Sequence, residues 1–484
     1  MVSVKKNAAL NTLKTLMSLI FPLITFPYVS HILGPDGTGK VHYAQSIVSY
    51  FSMIAMLGIN TYGLREAAKI RDDKDKLSKF YKEMFLITLT STFIAYVLFF
   101  AALFCFRSLD GYKNILLVTS GSILFTTLGV EWLYGAVEDY KYITVRSAVF
   151  QIIGLALLFA FVKDKDDYLQ YASLSVITNV GSNLLNCFHC HKYVYVLKRY
   201  NLEIKKHLKP VFILFGTSVA ISIYTVLDST MLGILCDDKD VGLYNAATKI
   251  TKIVMSLVVS IGAVATPRMA HIIEFDEENY KNLLLKICNL YLFLTIPCTV
   301  GLCFLAKPII FLFCGNEFNG AIVTMQIMTP IILFISFGQF FSNLIFTPMR
   351  KDNYSLFPVL IGAAVNFCLN LVLIPKFRAL GAGMASVFAE CTVCSIKFFL
   401  TRKLSCNVNI KGMFTYLHQY LIAALVMALV LLPGFFLKIS FLTKLIVSVV
   451  LGTFFYIAVL TLFKNEYVLI FFAAVKRRLC HART

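Results

Sequence analysis

The sequence predicts an all-α integral membrane protein, with about fourteen transmembrane helices in two pseudo-symmetric six-helix lobes and a C-terminal helix pair outside them. Three observations carry that expectation: an apolar composition, apolar windows of bilayer length recurring along the whole chain, and a set of residues that repeats at an offset of 203. Of the 484 residues, 58% are hydrophobic and 15% charged, where a soluble domain is roughly 45–50% apolar and about 25% charged. Windows of about 20 apolar residues suffice to cross a bilayer as a helix, and their density leaves no room for a separate soluble domain. The opening, with Lys5 and Lys6, has the basic start of a signal peptide. The apolar run 10–33 is too long for a signal core, however, and no small-residue cleavage site follows, so a retained first helix is expected.

Apolar stretches between charged or Gly/Pro breaks place the helices near 9–33, 41–62, 81–106, 113–135, 144–162, 168–189, 209–235, 241–266, 283–306, 321–346, 354–374, 380–399, 416–437 and 441–463. Helices are the expected form because an open sheet in lipid would leave its backbone unpaired. An even number puts both termini on one side. Counting Lys and Arg over alternate loops gives 32 on the terminal side and 11 on the other, with Lys249 and Lys252 inside a helix. The positive-inside rule then makes both termini cytoplasmic, and the expected location is the cytoplasmic (inner) membrane. The net charge of +19 is accounted for by this asymmetry and by affinity for anionic lipids, so no nucleic-acid partner is implied.

Displaced by 203 residues, Gly39, Ala44, Ile47, Arg65, Ala67, Ile70 and Asp73 fall on Gly242, Ala247, Ile250, Arg268, Ala270, Ile273 and Asp276. The interval spans six helices, so the copies share an orientation and are related by an axis along the membrane normal. The expected lobes are 1–205 and 206–405, with 406–484 supplying the last two helices and a basic tail at Lys476, Arg477 and Arg478. Two similar lobes can rock about a site between them, which is a transporter's geometry. The prolines Pro22, Pro27, Pro267, Pro297 and Pro330 are candidate bends.

Several segments resemble one family. They are Asn11 to Lys40 with Phe26-Pro27 and Leu33-Gly34-Pro35-Asp36-Gly37-Thr38-Gly39; Gly58 to Lys69; Leu227 to Gly233; Val241 to Ile250; and Thr266-Pro267-Arg268. Together they are similar to the polysaccharide-transport family, the Wzx-type O-antigen and capsule flippases of the multidrug/oligosaccharidyl-lipid/polysaccharide exporter superfamily. The resemblance implies transfer of an undecaprenyl-diphosphate-linked oligosaccharide between leaflets. Its implied partners are that lipid-linked oligosaccharide, the membrane lipids, a coupling proton or sodium ion, and other membrane proteins of polysaccharide assembly.

Charge inside a span is costly, about 2.5–3.5 kcal/mol at mid-membrane on insertion scales, so retained charges usually face a cavity or a partner. Lys249 and Lys252 lie one turn apart in the eighth span and could meet a diphosphate. Arg65, Arg268 and Lys14 are further cationic candidates, although the two arginines also suit helix C-terminal ends at the inner surface. Asp228, Glu131 and Glu390 are candidate ion-coupling carboxylates. Tyr28, Tyr43 and Tyr244 could stack on sugars, or simply anchor at the interface. The run Cys187-Phe-His189-Cys190-His191 has ligand types but no second distant pair, and reads as a helix end rather than a metal site. The thirteen cysteines are scattered, mostly singly inside apolar runs, and suggest no disulfide framework. No cofactor, nucleotide-binding motif or catalytic constellation is evident, so an enzyme is not expected. The competing readings are a cation-coupled drug exporter of the same superfamily and a membrane polysaccharide polymerase or ligase.

Overall fold

The computed structural model describes residues 4–404, 410–435, 440–465 and 468. The sequence-predicted basic tail at 476–478 lies outside them. All regular structure among the described residues is helical. Among the described residues ten stretches are long and apolar enough to cross a membrane, two of them 51 residues each, 20–70 and 353–403. Large apolar side chains face outward, among them Phe93 (70% exposed), Phe104 (82%) and Phe454 (63%). Such surface belongs against lipid rather than water, and the all-α membrane class is borne out. The chain divides into two compact units, Met1–Gly242 and Leu243–Thr484.

The first unit begins with α1 (Val4–Met56). An unbroken helix of that length would run about 80 Å, far beyond a bilayer core of about 30 Å. It is interrupted at Gly34, whose φ of 64° lies in the left-handed region, and Pro35 restarts the helix with its missing amide at no cost. The Thr38 hydroxyl donates to the Gly34 carbonyl at 2.7 Å. A second break at Leu57 and Gly58 (φ 45° and 75°) separates α1 from α2 (Ile59–Ile70). Next come α3 (Lys74–Cys105), α4 (Lys113–Gly129), α5 (Glu131–Ala136), α6 (Tyr140–Phe161), α7 (Tyr168–Val180), α8 (Leu184–His189) and α9 (Lys205–Leu235). The segment 113–135, expected as one helix, divides at Val130 in a left-handed conformation. The carbonyl freed there is satisfied from α8: Asn186 Nδ2 donates to the Gly129 carbonyl. The Cys/His run closes α8 and the short 3-10 turn after it. Trp132, Tyr134, Phe80 and Tyr81 fill one cluster of this unit's core; Val41, Ala44, Phe99 and Leu116 fill another.

The helix α10 (Asp238–Phe275) carries the chain into the second unit, followed by α11 (Glu277–Cys314), α12 (Ala321–Met328), α13 (Ile331–Phe341), α14 (Asn353–Lys403), α15 (Ile410–Met413), α16 (Leu417–Leu431) and α17 (Phe441–Leu462). Pro330 sits at the α12–α13 junction, where it ends one helix and starts the next. Within α14 the chain reverses at Arg378 (φ 54°). A Cβ on Gly381 would lie 2.3 Å from the Leu373 carbonyl oxygen, and one on Gly362 2.3 Å from the Val393 side chain, so the two arms pack antiparallel through their glycines. An aromatic core of Tyr291, Phe337, Phe340, Phe341, Tyr420 and Tyr456 holds α11, α13, α16 and α17 together.

Three pairs of repeat residues can be compared. Asp73 caps α3, accepting from the amides of Asp75 and Lys76, and Asp276 caps α11, accepting from the amide of Asn279. Gly39 and Gly242 meet each other: a Cβ on Gly39 would lie 1.7 Å from the Asp238 carbonyl oxygen and 2.8 Å from the Gly242 nitrogen. A Cβ on Gly242 would lie 2.0 Å from the Pro35 carbonyl oxygen, so only glycine permits this backbone crossing. Arg65 and Arg268 are both exposed, the former paired with Glu66 at 3.1 Å.

Candidate functional site

In the second unit, α10 is built as a two-faced helix. Ala247, Thr251, Val258 and Met269 are buried along one side. Asn245, Lys249, Lys252, Ser256 and Ser260 follow one another at spacings of three and four on the opposite side, which is the pattern of a single helix stripe. Lys252 and Ser260 are exposed, Lys249 and Ser256 half-buried. The two serines satisfy their hydroxyls on their own helix, Ser256 on the Ile253 carbonyl and Ser260 on the Leu257 carbonyl, each at 2.7 Å. A helix in hydrocarbon does not keep two lysines and two serines in line unless they face water or a polar cargo.

In the first unit the polar residues of the corresponding helix turn inward. Thr230 on α9 donates to Ser46 Oγ at 3.0 Å and to the Tyr50 hydroxyl at 3.2 Å, both on α1. Asp228, two residues earlier on α9, is buried at 7% exposure and close enough to the Tyr50 hydroxyl for the two to interact electrostatically. A buried carboxylate near a tyrosine hydroxyl has the chemistry to hold a proton or a small cation.

The other sequence candidates are placed singly. Glu131 opens α5 and pairs with Arg146 at 2.9 Å. Glu390 is half-buried on the second arm of α14, close enough to Lys397 for their charges to interact. The side chain of Lys14 lies outside the described ones. Tyr28 donates to the Val162 carbonyl at 2.8 Å, Tyr244 is buried against Ser386, and Tyr43 packs edge-on to Tyr112, so these three act in packing.

Four polar groups escaped the sequence reading. Lys397 is buried and donates to the Gly338 carbonyl at 3.2 Å. Asn370 Nδ2 donates to Asn366 Oδ1 at 3.1 Å, both buried on α14; their spacing of four residues was the available signal. Arg146 is 5% exposed. Glu83, 1% exposed, binds His207 at 2.8 Å, and His207 in turn contacts the Tyr62 hydroxyl at 2.8 Å.

One end of the first unit gathers basic loops. Arg71 pairs with Glu138, Lys198 with Asp75, and Lys79 with Glu203. Lys74 donates to the Lys192 carbonyl at 3.1 Å. Hydrogen bonds from Lys79 and then Lys206 hold the Glu203 carboxyl down to about 2. Segments 71–79, 138–139 and 192–206 thereby form one charged face.

Comparison with known proteins places this architecture. The family described as polysaccharide biosynthesis protein matches residues 4–273, and the family of lipid II flippase MurJ matches residues 144–456. A protein named "Putative O-antigen transporter" from Shigella dysenteriae is 24% identical over 80% of this chain and 97% of its own length. The capsular polysaccharide biosynthesis protein CapF of Staphylococcus aureus is 21% identical over 74% of this chain and 88% of its own. Among solved structures, lipid II flippase MurJ in an inward closed conformation superposes with a TM-score of 0.74 at 18% identity, covering 94% of this chain and 99% of that one. An inward-facing multidrug-resistance MATE transporter gives 0.60 at 13% identity, over 79% and 93%. At these identities the structural likenesses speak for the fold.

Proposed function

The chain belongs to the polysaccharide biosynthesis protein family, the polysaccharide-transport branch of the exporter superfamily, and from that premise we infer that it is a flippase for a lipid-linked oligosaccharide. It is a multi-pass membrane transporter rather than an enzyme. The geometric observation that supports the reading is the stripe on α10, where Lys249 and Lys252 present positive charge along a helix long enough to cross the bilayer. A diphosphate moving through a low-dielectric region needs a compensating cation, since Coulomb attraction there is several-fold stronger than in water.

In this reading the oligosaccharide is linked through undecaprenyl diphosphate, and the lobes 1–205 and 206–405 alternate access to it. Lys252 and Lys249 grip the diphosphate, with Arg65, Arg268 and Lys14 as the further cations. Asp228, with Glu131 and Glu390, couples transport to a proton or sodium ion. Both termini lie in the cytoplasm, and other membrane proteins of glycan assembly act beside it. The MATE-like fold by itself is compatible with drug export, but two lysines on the α10 stripe favour an anionic cargo over the cationic ones that an acidic cavity would take.

The test is complementation of a cell lacking its own O-antigen or capsule flippase, with surface glycan as readout. Wild-type protein restores glycan; Lys252→Arg keeps part of the activity, Lys252→Ala loses most, and Lys252→Glu loses all of it at equal membrane level. Wild-type glycan from Lys252→Glu would remove Lys252 from the cargo path. Failure of the wild type together with resistance to a dye panel would favour the drug-exporter reading.

A further inference from the structure

At the basic end of the first unit lies a cavity of about 450 Å³ between the start of α6 and the end of α8. Arg146, Lys141, Lys192 and His189 line it together with Tyr142 and Asp139. On the outer side its wall is apolar and open: Val145, Val149 and Leu185 are 52%, 46% and 43% exposed. The cavity is therefore cationic within and greasy at its mouth.

Arg146 is the group that gives it chemical direction. It is 95% buried, and of its three nitrogens only Nη2 is paired, with Glu131. Among the described residues its Nε and Nη1 are buried and make no hydrogen bond. His189 Nδ1, in the same wall, is likewise buried without a partner. Buried donors in folded proteins are almost always satisfied, so clustered exceptions at a cavity point to a ligand. Tyr142 fixes the arrangement, with its ring 5.8 Å from the guanidinium and stacked on His189 at 3.9 Å. Lys192 stands 3.9 Å from Asp139, which is already engaged by the Tyr193 hydroxyl at 2.5 Å. The cations Arg146, Lys141 and Lys192 outnumber the carboxylates Asp139 and Glu131. The Glu131 side chain is 44% exposed, so a stronger acceptor such as a phosphate can compete for the guanidinium.

We propose that this cavity binds the phosphate headgroup of a membrane lipid, with the Arg146 guanidinium as the central donor and Lys141 and Lys192 as rim charges, while the lipid's chains lie against Val145, Val149 and Leu185. A planar guanidinium matches phosphate oxygens through parallel N–H donors, and an apolar mouth beside a basic face suits a ligand that is half lipid. The phosphate belongs either to a resident anionic phospholipid or to the transported diphosphate lipid at its first docking point; only the second alternative rests on the flippase reading.

The experiment is lipid retention by the purified full chain, measured by native mass spectrometry and by thermal shift. The probes are phosphatidylglycerol, phosphatidylcholine and undecaprenyl diphosphate. Variants are Arg146→Gln, Arg146→Lys, and the rim pair Lys141→Gln with Lys192→Gln, which leaves the Arg146–Glu131 pair intact should Arg146→Gln fold poorly. Retention of at least one anionic probe is expected to fall tenfold or more in Arg146→Gln and severalfold in the rim pair, with partial recovery in Arg146→Lys. Loss confined to undecaprenyl diphosphate identifies the cargo lipid; loss of phosphatidylglycerol retention identifies a resident lipid. Undiminished retention of both anionic probes in the rim pair and in folded Arg146 variants would overturn the proposal. Because the readout is binding, the site stands or falls independently of transport.

Discussion

In the first copy of the repeat, the helix that starts after Gly34 stops at Met56, turns through Leu57 and Gly58, and restarts as α2; in the second, α10 runs from Asp238 to Phe275 without a break. The positions that match Leu57 and Gly58 are Ser260 and Ile261, both helical. The same register separates their polar content, since Lys249 and Lys252 stand where the first copy has Ser46 and Ser49. What the copies keep is at their ends, the crossing glycines Gly39 and Gly242 and the capping Asp73 and Asp276. What they have lost in common is the middle. One copy is thus an interrupted helix with buried hydroxyls, and the other an uninterrupted helix with a cationic stripe. The close backbone crossing and the helix cap thus constrain the ends of each copy, while the middle of the helix is open to change.

The largest effect expected from this comparison is at the shared glycines. Gly39→Ala puts a methyl carbon within 1.7 Å of a backbone oxygen, and Gly242→Ala within 2.0 Å of another. Backbone cannot give way as a flexible side chain does, and overpacking costs typically about 1–3 kcal/mol or more. Each variant should lower glycan export more than tenfold while still reaching the membrane. Wild-type export from both would show that the crossing is not part of the working cycle.

A smaller effect separates the two middles. Gly58 has φ 75°, and a Cβ there would lie 2.9 Å from the Leu214 carbonyl carbon. A non-glycine residue in the left-handed region costs about 1–2 kcal/mol. Gly58→Ala should therefore lower thermal stability in detergent by several degrees, whereas Ser260→Ala, in the uninterrupted helix of the other copy, should change it by about 0.5 kcal/mol or less. Equal shifts would mean that the bend at Gly58 carries no strain penalty and that the two copies are alike there.

Hydropathy made the spans legible, because a helix in lipid must be apolar over its length whatever it packs against. The turn at Gly34 and the reversal near Arg378 were legible as well, from glycine, proline and charge between apolar runs. The break at Val130 was not: nothing in Leu-Gly-Val-Glu marks it, and its stability comes from Asn186 on another helix. The polar pairs were hidden for the same reason. Glu83 and His207 meet across 124 residues, and neither is unusual in its own segment. Arg146 drew no notice in the sequence, and its role emerges only from the structure, which places it against Glu131 with two further nitrogens buried and unpaired. Lys249 and Lys252 could be singled out because the signal was local, two charges one turn apart in an apolar helix.

The claim at the centre of this account is that the protein moves a diphosphate-linked sugar lipid between leaflets. Its most direct measurement is in proteoliposomes: purified protein, undecaprenyl diphosphate bearing a labelled oligosaccharide, and an impermeant glycosidase that cleaves only what reaches the outer leaflet. The account predicts that wild-type protein exposes nearly the whole labelled pool, that the Lys252→Glu variant protects the inner half as empty liposomes do, and that a labelled phosphatidylcholine is not moved by either. Protection of the inner half with wild-type protein, in vesicles where it is correctly inserted and a proton or sodium gradient is imposed, would contradict it.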